Sequence, residues 1–311
     1  MTVVTVRVPA KVNLQLAVGP PRADGYHDLV TVFHAISLFD EVTVTSADRF
    51  RVVVTGEGAD QVPDGDDNLA VRAAAALARA VGGPYPDSRC AAIEIRKRIP
   101  VAAGLAGGSA DAAAALVACN ELWRTGLGQQ ELQEIAAGVG SDVAFALLGG
   151  TAVGQGRGER LTPALMSGQY HWVLAFASEG LSTAEVYATC DRLRAAHGEV
   201  PAAPRLNTDL MAALRSGDPA AVGRALGNDL QPAAISLRPG LRRTLAAGRE
   251  HGALGAVVSG SGPTCAFLAL DAERALDLAV WMTGAGVCRG VARATGPVPG
   301  ASILGTPGSA R

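Results

Sequence analysis

Pro100-Val-Ala-Ala-Gly104-Leu-Ala-Gly107-Gly108-Ser109-Ala110-Asp111 is the stretch on which the reading of this 311-residue chain turns. Ile93 and Ile95, just before it, alternate with polar or small residues, so the chain enters it as a strand. Asp111 to Arg124, just after it, is rich in alanine, with Leu116, Val117, Leu122 and Trp123 as the larger apolar residues. That run reads as a closely packed helix with Ser109 as its N-cap. A loop of small residues thus feeds a helix N-terminus, where backbone N–H groups lack partners and the macrodipole is positive. Glycine lets such a backbone approach an anion without a Cβ in the way, and phosphate is the natural guest. The loop has neither the Gly-Lys-Ser/Thr ending of a Walker A motif nor the spacing of a dinucleotide fingerprint. A nucleotide held here needs its cation from elsewhere in the chain or from a metal.

The whole chain sets the frame for that loop. Its length suits two domains, and the glycine-rich run Gly149-Gly150 to Gly154–Gly158 marks a break near residue 155, giving units 1–155 and 156–311. Hydrophobic content of 49% and a mean hydropathy of +0.22 read as globular, and no apolar run approaches the length of a membrane span. A net charge of −2 with 4% aromatic residues disfavours a nucleic-acid surface. Cys90, Cys119, Cys190, Cys265 and Cys288 are scattered without a C-x-x-C pair, so they read as thiols of a reducing compartment. With an N-terminus that reads directly as a strand, the expected location is cytoplasmic. No His and Cys cluster has metal-ligand spacing.

Upstream of the loop, two lysines, Lys11 and Lys97, stand among 27 basic residues. Lysine is a compact point charge where arginine is a planar fork, so Lys11 invites attention in a chain that otherwise uses arginine. Lys97, in Arg96-Lys97-Arg98, is equally explained by chance. Val4, Val6 and Val8 alternate as a strand; beyond it Lys11 and Asn13 share one face of an extended segment, and Val12, Leu14 and Leu16 the other. An edge strand with one wet face would look the same. Asp24-Gly25 is a turn signal, and Tyr26 and His27 stand at its exit, either as rim residues or as groups able to stack on and hydrogen-bond a base. Val30–Ile36, Val42–Thr45 and Phe50–Val54 read as three strands, and Asp67 caps a helix that runs to Val81 and stops at Gly82-Gly83-Pro84.

Downstream, Glu131–Ala137 and Val143–Leu148 are short helices, and Asp142 stands at the start of the second. Local sequence favours a routine cap there. His171–Ala177 is a strand, and Ser182 to Glu185 forms a capping box opening a helix to His197. A Pro/Ala linker, 198–206, leads to two or three helices, the last from Pro239 to near Gly252. Leu254–Ser259 and Cys265–Leu270 flank the small-residue turn Gly260 to Thr264, which reads as a hairpin. Asp271 caps a helix to Gly284, Val287–Ala294 is a last strand, and the tail from Gly296 is expected to be extended or mobile. This order suggests a split βαβ, ferredoxin-like layout, and no internal repeat is evident.

Pro9-Ala-Lys11-Val-Asn13-Leu14, the loop 100–111 and Gly260-Ser-Gly262-Pro-Thr-Cys265, in this order, resemble the three motifs of the GHMP kinase superfamily. The loop is similar to that family's P-x-x-x-G-L-(G/A)-G-G-S-(S/A) phosphate loop, and the resemblance runs from about residue 7 to about residue 295. It implies an α+β, two-domain GHMP kinase fold. The N-terminal, ATP-binding domain would be ribosomal-protein-S5-domain-2-like and the C-terminal one ferredoxin-like, with the site in the cleft between them. Asp24-Gly25-Tyr26-His27 and Gly140-Ser141-Asp142-Val143 point within the family to kinases of a small cytidine diphosphate alcohol. A homoserine- or mevalonate-type kinase and a non-catalytic binding protein of the same fold stand as alternatives.

By this resemblance ATP, as co-substrate with Mg²⁺, is bound by Pro100, Val101, Ala102, Ala103, Gly104, Leu105, Ala106, Gly107, Gly108, Ser109 and Ala110, with Asn68 and Lys97 near adenine. Asp142 is the general base and Lys11 holds it ionised and stabilises the alkoxide, while Asn13 orients them. Tyr26 and Tyr187 sandwich cytosine, His27 hydrogen-bonds it, and Gly260, Ser261 and Gly262 close over the reacting phosphates. No nucleic-acid or membrane partner is implied, and the chain is expected to be a monomer or weak homodimer. Ala102, Ala103 and Ala106 depart from glycines common in the family, which calls for negative φ angles there. Asp111 stands where relatives often have Asn, and an extra carboxylate near phosphates must point away or meet a metal.

Overall fold

The computed structural model describes residues 2–82 and 89–304. Alternating valines make the first strand, β1 (Val3–Pro21), which pairs antiparallel along its length with β2 (His27–Ala47). The two strand-like runs seen in residues 30–45 are one strand: Pro9 pairs with Phe39 and Ala10 with Ile36, so a bulge separates them. β3 (Arg51–Gly56), a 3₁₀ turn (Ala59–Gln61), α1 (Leu69–Ala80) and β4 (Cys90–Lys97) follow. The cap of α1 is Asn68, whose side chain accepts from the N–H of Ala70, and not Asp67. The helix ends at Ala80; of its expected stop signal, Gly83 and Pro84 lie outside the described residues.

Next come α2 (Gly107–Leu122), α3 (Gln129–Val139), α4 (Ser141–Leu148), β5 (Thr151–Gly156) and β6 (Arg160–Pro163). The alanines of α2 let it sit flush on the sheet, where Ala112 to Ala115, Ala118 and Cys119 are fully buried among Val12, Leu14, Ile36 and Ile95.

The second half holds β7 (Tyr170–Phe176), α5 (Thr183–Ala196), α6 (Thr208–Ser216), α7 (Pro219–Ala225), β8 (Gly227–Asn228), α8 (Gln231–Leu237) and α9 (Gly240–Glu250). Four helices therefore stand where two or three were expected. β9 (Gly255–Val258), β10 (Cys265–Ala269), α10 (Ala272–Gly284), β11 (Gly290–Gly296) and β12 (Ser302–Ile303) complete the chain.

Among the described residues an eight-stranded sheet has the path β12-β1-β2-β4-β3, with β5 and β6 continuing from β2 and β8 alongside β1. The second sheet, ordered β11-β7-β10-β9, is antiparallel throughout, which with α5 and α10 as crossovers is the ferredoxin-like arrangement. Sheet membership changes between Pro163 and Tyr170, and we propose the domain boundary there, beyond the composition break at Gly154–Gly158. The tail is extended and pinned as far as it is described: Val298 donates to Ala35, Ala301 to Ala146 and Leu304 to Thr5. Residues 305–311 lie outside the described part. No helix is long and apolar enough to cross a membrane among the described residues.

Candidate active site

The loop between β4 and α2 does not begin its helix where the sequence suggests. α2 starts at Gly107, its N-cap is Ala106, and neither Ser109 nor any other side chain caps it. Its first-turn N–H groups are therefore left to a ligand. The expectation of negative φ at the loop alanines fails at two positions: Ala102 has φ 50° and Ala106 φ 61°. The loop keeps the left-handed turns that glycine would supply and carries the strain on alanine. It is held there by the hairpin turn of β9 and β10. Ser259 Oγ donates to the Gly104 carbonyl at 2.9 Å, and a Cβ on Gly104 would lie 2.1 Å from the Ser259 carbonyl oxygen. The turn Gly260 to Thr264 is thus both a hairpin and a brace for the loop.

Beneath the loop lies a buried ion cluster. Lys97 Nζ is 2.5 Å from Asp40 Oδ2 and 2.6 Å from Asp111 Oδ2, and all three side chains are almost wholly buried. Asp40 Oδ1 also accepts the backbone N–H groups of Arg98 (2.5 Å) and Ile99 (2.9 Å), so it ties the strand end to β2. Burial works against the Lys97 ammonium, but Asp111 and Asp40 outweigh it and raise its pKa. Burial pushes the Asp111 carboxyl up to about 8 despite Lys97, with Asp40 adding to the rise. Burial thus holds Asp111 toward its neutral form beneath the loop. Its Oδ2 faces Lys97 below the loop, so the side chain meets a cation there, which answers the objection to a carboxylate at this place.

A cavity of about 1130 Å³ opens above the loop, with β1 and β2 on one side and α5 and the turn at Gly260 on the other. On its floor Lys11 Nζ donates to Asn13 Oδ1 at 2.6 Å, Asn13 Nδ2 donates to Thr31 Oγ1 at 2.8 Å, and Thr31 donates on to the Gln15 carbonyl. Lys11 and Asn13 are buried, so the wet edge-strand alternative falls. Lys11 Nζ lies 3.8 Å from Asp142 Oδ2. Burial lowers the pKa of Lys11, and Asp142 pulls it back up. Asp142 is not the cap of α4: that position is Gly140, with no side-chain cap bond, and the Asp142 carboxylate lies in the first turn, where the helix dipole favours it.

On the far wall His27 Nε2 is 3.0 Å from Asp191 Oδ1, and the Tyr187 ring lies 5.1 Å from the His27 ring, tilted. Tyr26 is half exposed, and the Arg157 guanidinium sits 3.7 Å from its ring centroid. Asn68 caps α1 and Lys97 serves the ion cluster, yet both still line the cavity. Of the other residues singled out from sequence, Leu105, Ala110 and Gly262 do not line it. Leu105 and Ala110 belong to the core, and Gly262 faces Val258 and Leu181. The rest of the loop, Gly260 and Ser261 do line it.

Sequence reasoning missed Asp40, Arg157 and Asp191. A carboxylate in the apolar run Ile36 to Val42 was a signal for Asp40. Asp191 follows Tyr187 by one helical turn, which places both on one face of α5.

A family model described as GHMP kinases N terminal domain matches residues 68–150, and one described as GHMP kinases C terminal matches residues 210–280. The chain belongs to the GHMP kinases and is a small-molecule kinase, a class that uses ATP as phosphate donor. It is 57% identical over 309 residues to a 4-diphosphocytidyl-2-C-methyl-D-erythritol kinase of Mycolicibacterium gilvum (strain PYR-GCK), covering 99% of this chain and 94% of that one. The kinase of that name in Mycobacterium tuberculosis (strain ATCC 25618 / H37Rv) is 56% identical over 98% of this chain and 94% of its own. A crystal structure of 4-(cytidine 5'-diphospho)-2C-methyl-D-erythritol kinase superposes with a TM-score of 0.73 at 32% identity, over 97% of this chain and all of the other. A homoserine kinase from Cytophaga hutchinsonii shares the fold at a TM-score of 0.75 and 21% identity.

Proposed function

We propose that this chain transfers the γ-phosphoryl group of ATP to the 2-hydroxyl of 4-diphosphocytidyl-2-C-methyl-D-erythritol, giving the 2-phosphate and ADP. The step belongs to the methylerythritol phosphate route to isopentenyl diphosphate. The observation that carries the reading is the single cavity that joins the uncapped start of α2, the Lys11–Asp142 pair and the Tyr26, His27 and Tyr187 rings. Its parts match a donor triphosphate, a reacting hydroxyl and a flat base in turn, and the kinases of that name cited above are similar over nearly the whole chain.

The loop residues cradle the phosphates through backbone N–H groups, and Asn68 and Lys97 stand on the adenine side. Asp142 takes the proton of the attacking hydroxyl, and Lys11, buried and held by Asn13, stabilises the alkoxide that develops. Tyr26 and Tyr187 flank the cytosine, His27 hydrogen-bonds it, and Gly260 and Ser261 close over the transferring phosphate, with Gly262 behind them in the turn. Among the described residues no three His, Cys, Asp or Glu side chains converge to hold a metal by themselves. That suits Mg²⁺ delivered with the nucleotide, since this ion keeps much of its shell as water and phosphate oxygen. The Ser109 hydroxyl, at the start of α2 on the cavity wall, would supply a protein oxygen to it. Bound there, the ion offsets phosphate charge. On this reading the chain acts on a small molecule in the cytoplasm, as a monomer or weak homodimer without nucleic-acid or membrane partners.

ADP release is the test. The cytidyl substrate should be turned over far faster than its base-free analogue, homoserine or mevalonate. Equal rates with the base-free analogue would remove the cytidyl reading.

A further inference from the structure

His27 is the first residue of β2, and its side chain is almost wholly buried. Its Nε2 stands 3.0 Å from Asp191 Oδ1 and 3.2 Å from Asp191 Oδ2. A carboxylate can only accept, so Nε2 carries the hydrogen. A neutral imidazole has one N–H, and the other nitrogen is then a bare acceptor. No described residue hydrogen-bonds His27 Nδ1. The ring is also held by packing: Tyr187, one turn before Asp191 on α5, lies against it, so one face of one helix sets both its position and its hydrogen. His27, Tyr187 and Asp191 all line the cavity.

We infer that Asp191 is a positioning residue that locks His27 as the Nε2–H tautomer. Nδ1 is thereby an acceptor that selects a pyrimidine bearing a ring amino group over one bearing a carbonyl. The inference rests on the reading that a cytidyl group occupies this wall. Cytosine offers an amino donor at C4, where uracil offers an oxygen. With Nδ1 held as an acceptor, the uracil oxygen faces a lone pair, and both groups lose their partners on leaving water. An unsatisfied buried acceptor costs about 1–3 kcal/mol, which is roughly a ten- to hundredfold preference. Without Asp191 the ring can take its other tautomer, in which Nδ1–H donates to the uracil oxygen, and the preference weakens.

The experiment compares kcat/KM for the cytidine diphosphate alcohol and its uridine counterpart in the wild-type chain, Asp191→Ala and Asp191→Glu. The His27 ring nitrogens are read by ¹⁵N NMR in each. Wild type should show hydrogen on Nε2 and a bare Nδ1, and should prefer the cytidine substrate roughly ten- to hundredfold. Asp191→Ala should give a mixture of tautomers and lose about tenfold of that preference, while Asp191→Glu should restore both. A doubly protonated ring in wild type, a hydrogen on Nδ1, or an unchanged preference in Asp191→Ala overturns the inference. Wild-type turnover of both substrates without preference overturns the inference and leaves the cytidyl reading standing, whereas turnover of neither overturns the cytidyl reading itself.

Discussion

Lys11 Nζ and Asp142 Oδ2 stand 3.8 Å apart, one in the middle of a buried strand and the other in the first turn of a helix far along the chain. Since Asp142 caps nothing, Asp142→Asn should lower the thermal midpoint only by what its pair with Lys11 and the helix dipole contribute. A positioned proton acceptor is worth roughly 10²–10⁴ in rate, and kcat should fall by that much. Lys11→Met should also lower kcat, and the double variant should lose less than the product of the two, because both serve one transfer. Phosphoryl transfer is often loose and asks little of a base early on. A small effect at Asp142 beside a large one at Lys11 would therefore assign the work to charge stabilisation, and kcat with thermal midpoints on the three variants decides.

The phosphate loop is tested at Gly108 and not at its neighbour. A Cβ on Gly107 would lie 3.1 Å from both Ile99 Cγ2 and Lys97 Nζ, so substitution there disturbs the ion cluster as well as the loop. A Cβ on Gly108 meets only Leu69 Cδ1, at an ordinary 3.5 Å. Gly108→Val should fold normally and raise the KM for ATP strongly, because its branches stand where the phosphates approach the helix start. Unchanged ATP kinetics in the folded variant would take the loop out of the donor site.

Tyr26 has one ring face under the Arg157 guanidinium and is half exposed. A base stacked on the ring is worth roughly 1–3 kcal/mol, so Tyr26→Ala should weaken substrate binding about ten- to a hundredfold. Tyr26→Phe, which keeps the ring, should be mild. Arg157→Ala should sit between them, since the cation–π contact that fixes the ring contributes only about 0.5–1 kcal/mol at an exposed site. Equal losses in Tyr26→Ala and Tyr26→Phe, read as substrate KM, would assign the effect to the hydroxyl and end the stacking idea.

What could be read in the sequence was local. Small residues between a strand and an alanine-rich helix announce an anion-binding turn, and the order of strands after residue 170 announces a ferredoxin-like sheet. The positive φ of Ala102 and Ala106 was hidden because left-handed turns are recognised by glycine, and here the brace at Ser259 imposes them on alanine. Asp142 looked like a cap because its rival partner, Lys11, is distant in sequence. The burial of Lys97 was hidden for the same reason: its partner Asp40 sits on β2, and nothing local says that a basic run at a strand end will turn inward. Asp191 was legible in principle from its one-turn spacing to Tyr187, but only once Tyr187 was placed on the cavity wall.

Asp111 gives the fold a pH dependence of its own. The carboxyl ionises near 3.9 in an unfolded chain and near about 8 here, where burial favours the neutral form. Between those values the folded state holds a proton that the unfolded state has lost, so the contribution of Asp111 to stability is full below about pH 4 and disappears as pH rises through about 8. The slope of this one group approaches 1.4 kcal/mol per pH unit in the middle of that window, from about 1.36 kcal/mol per pKa unit. Asp111→Asn keeps the shape and the acceptor for Lys97 but cannot ionise. Urea denaturation of both proteins from pH 5 to pH 8 should show wild type losing stability relative to the variant as pH rises, with the variant gaining most at the alkaline end. Parallel curves would mean that Asp111 is ionised in the fold, and that the cluster under the phosphate loop carries a net negative charge after all.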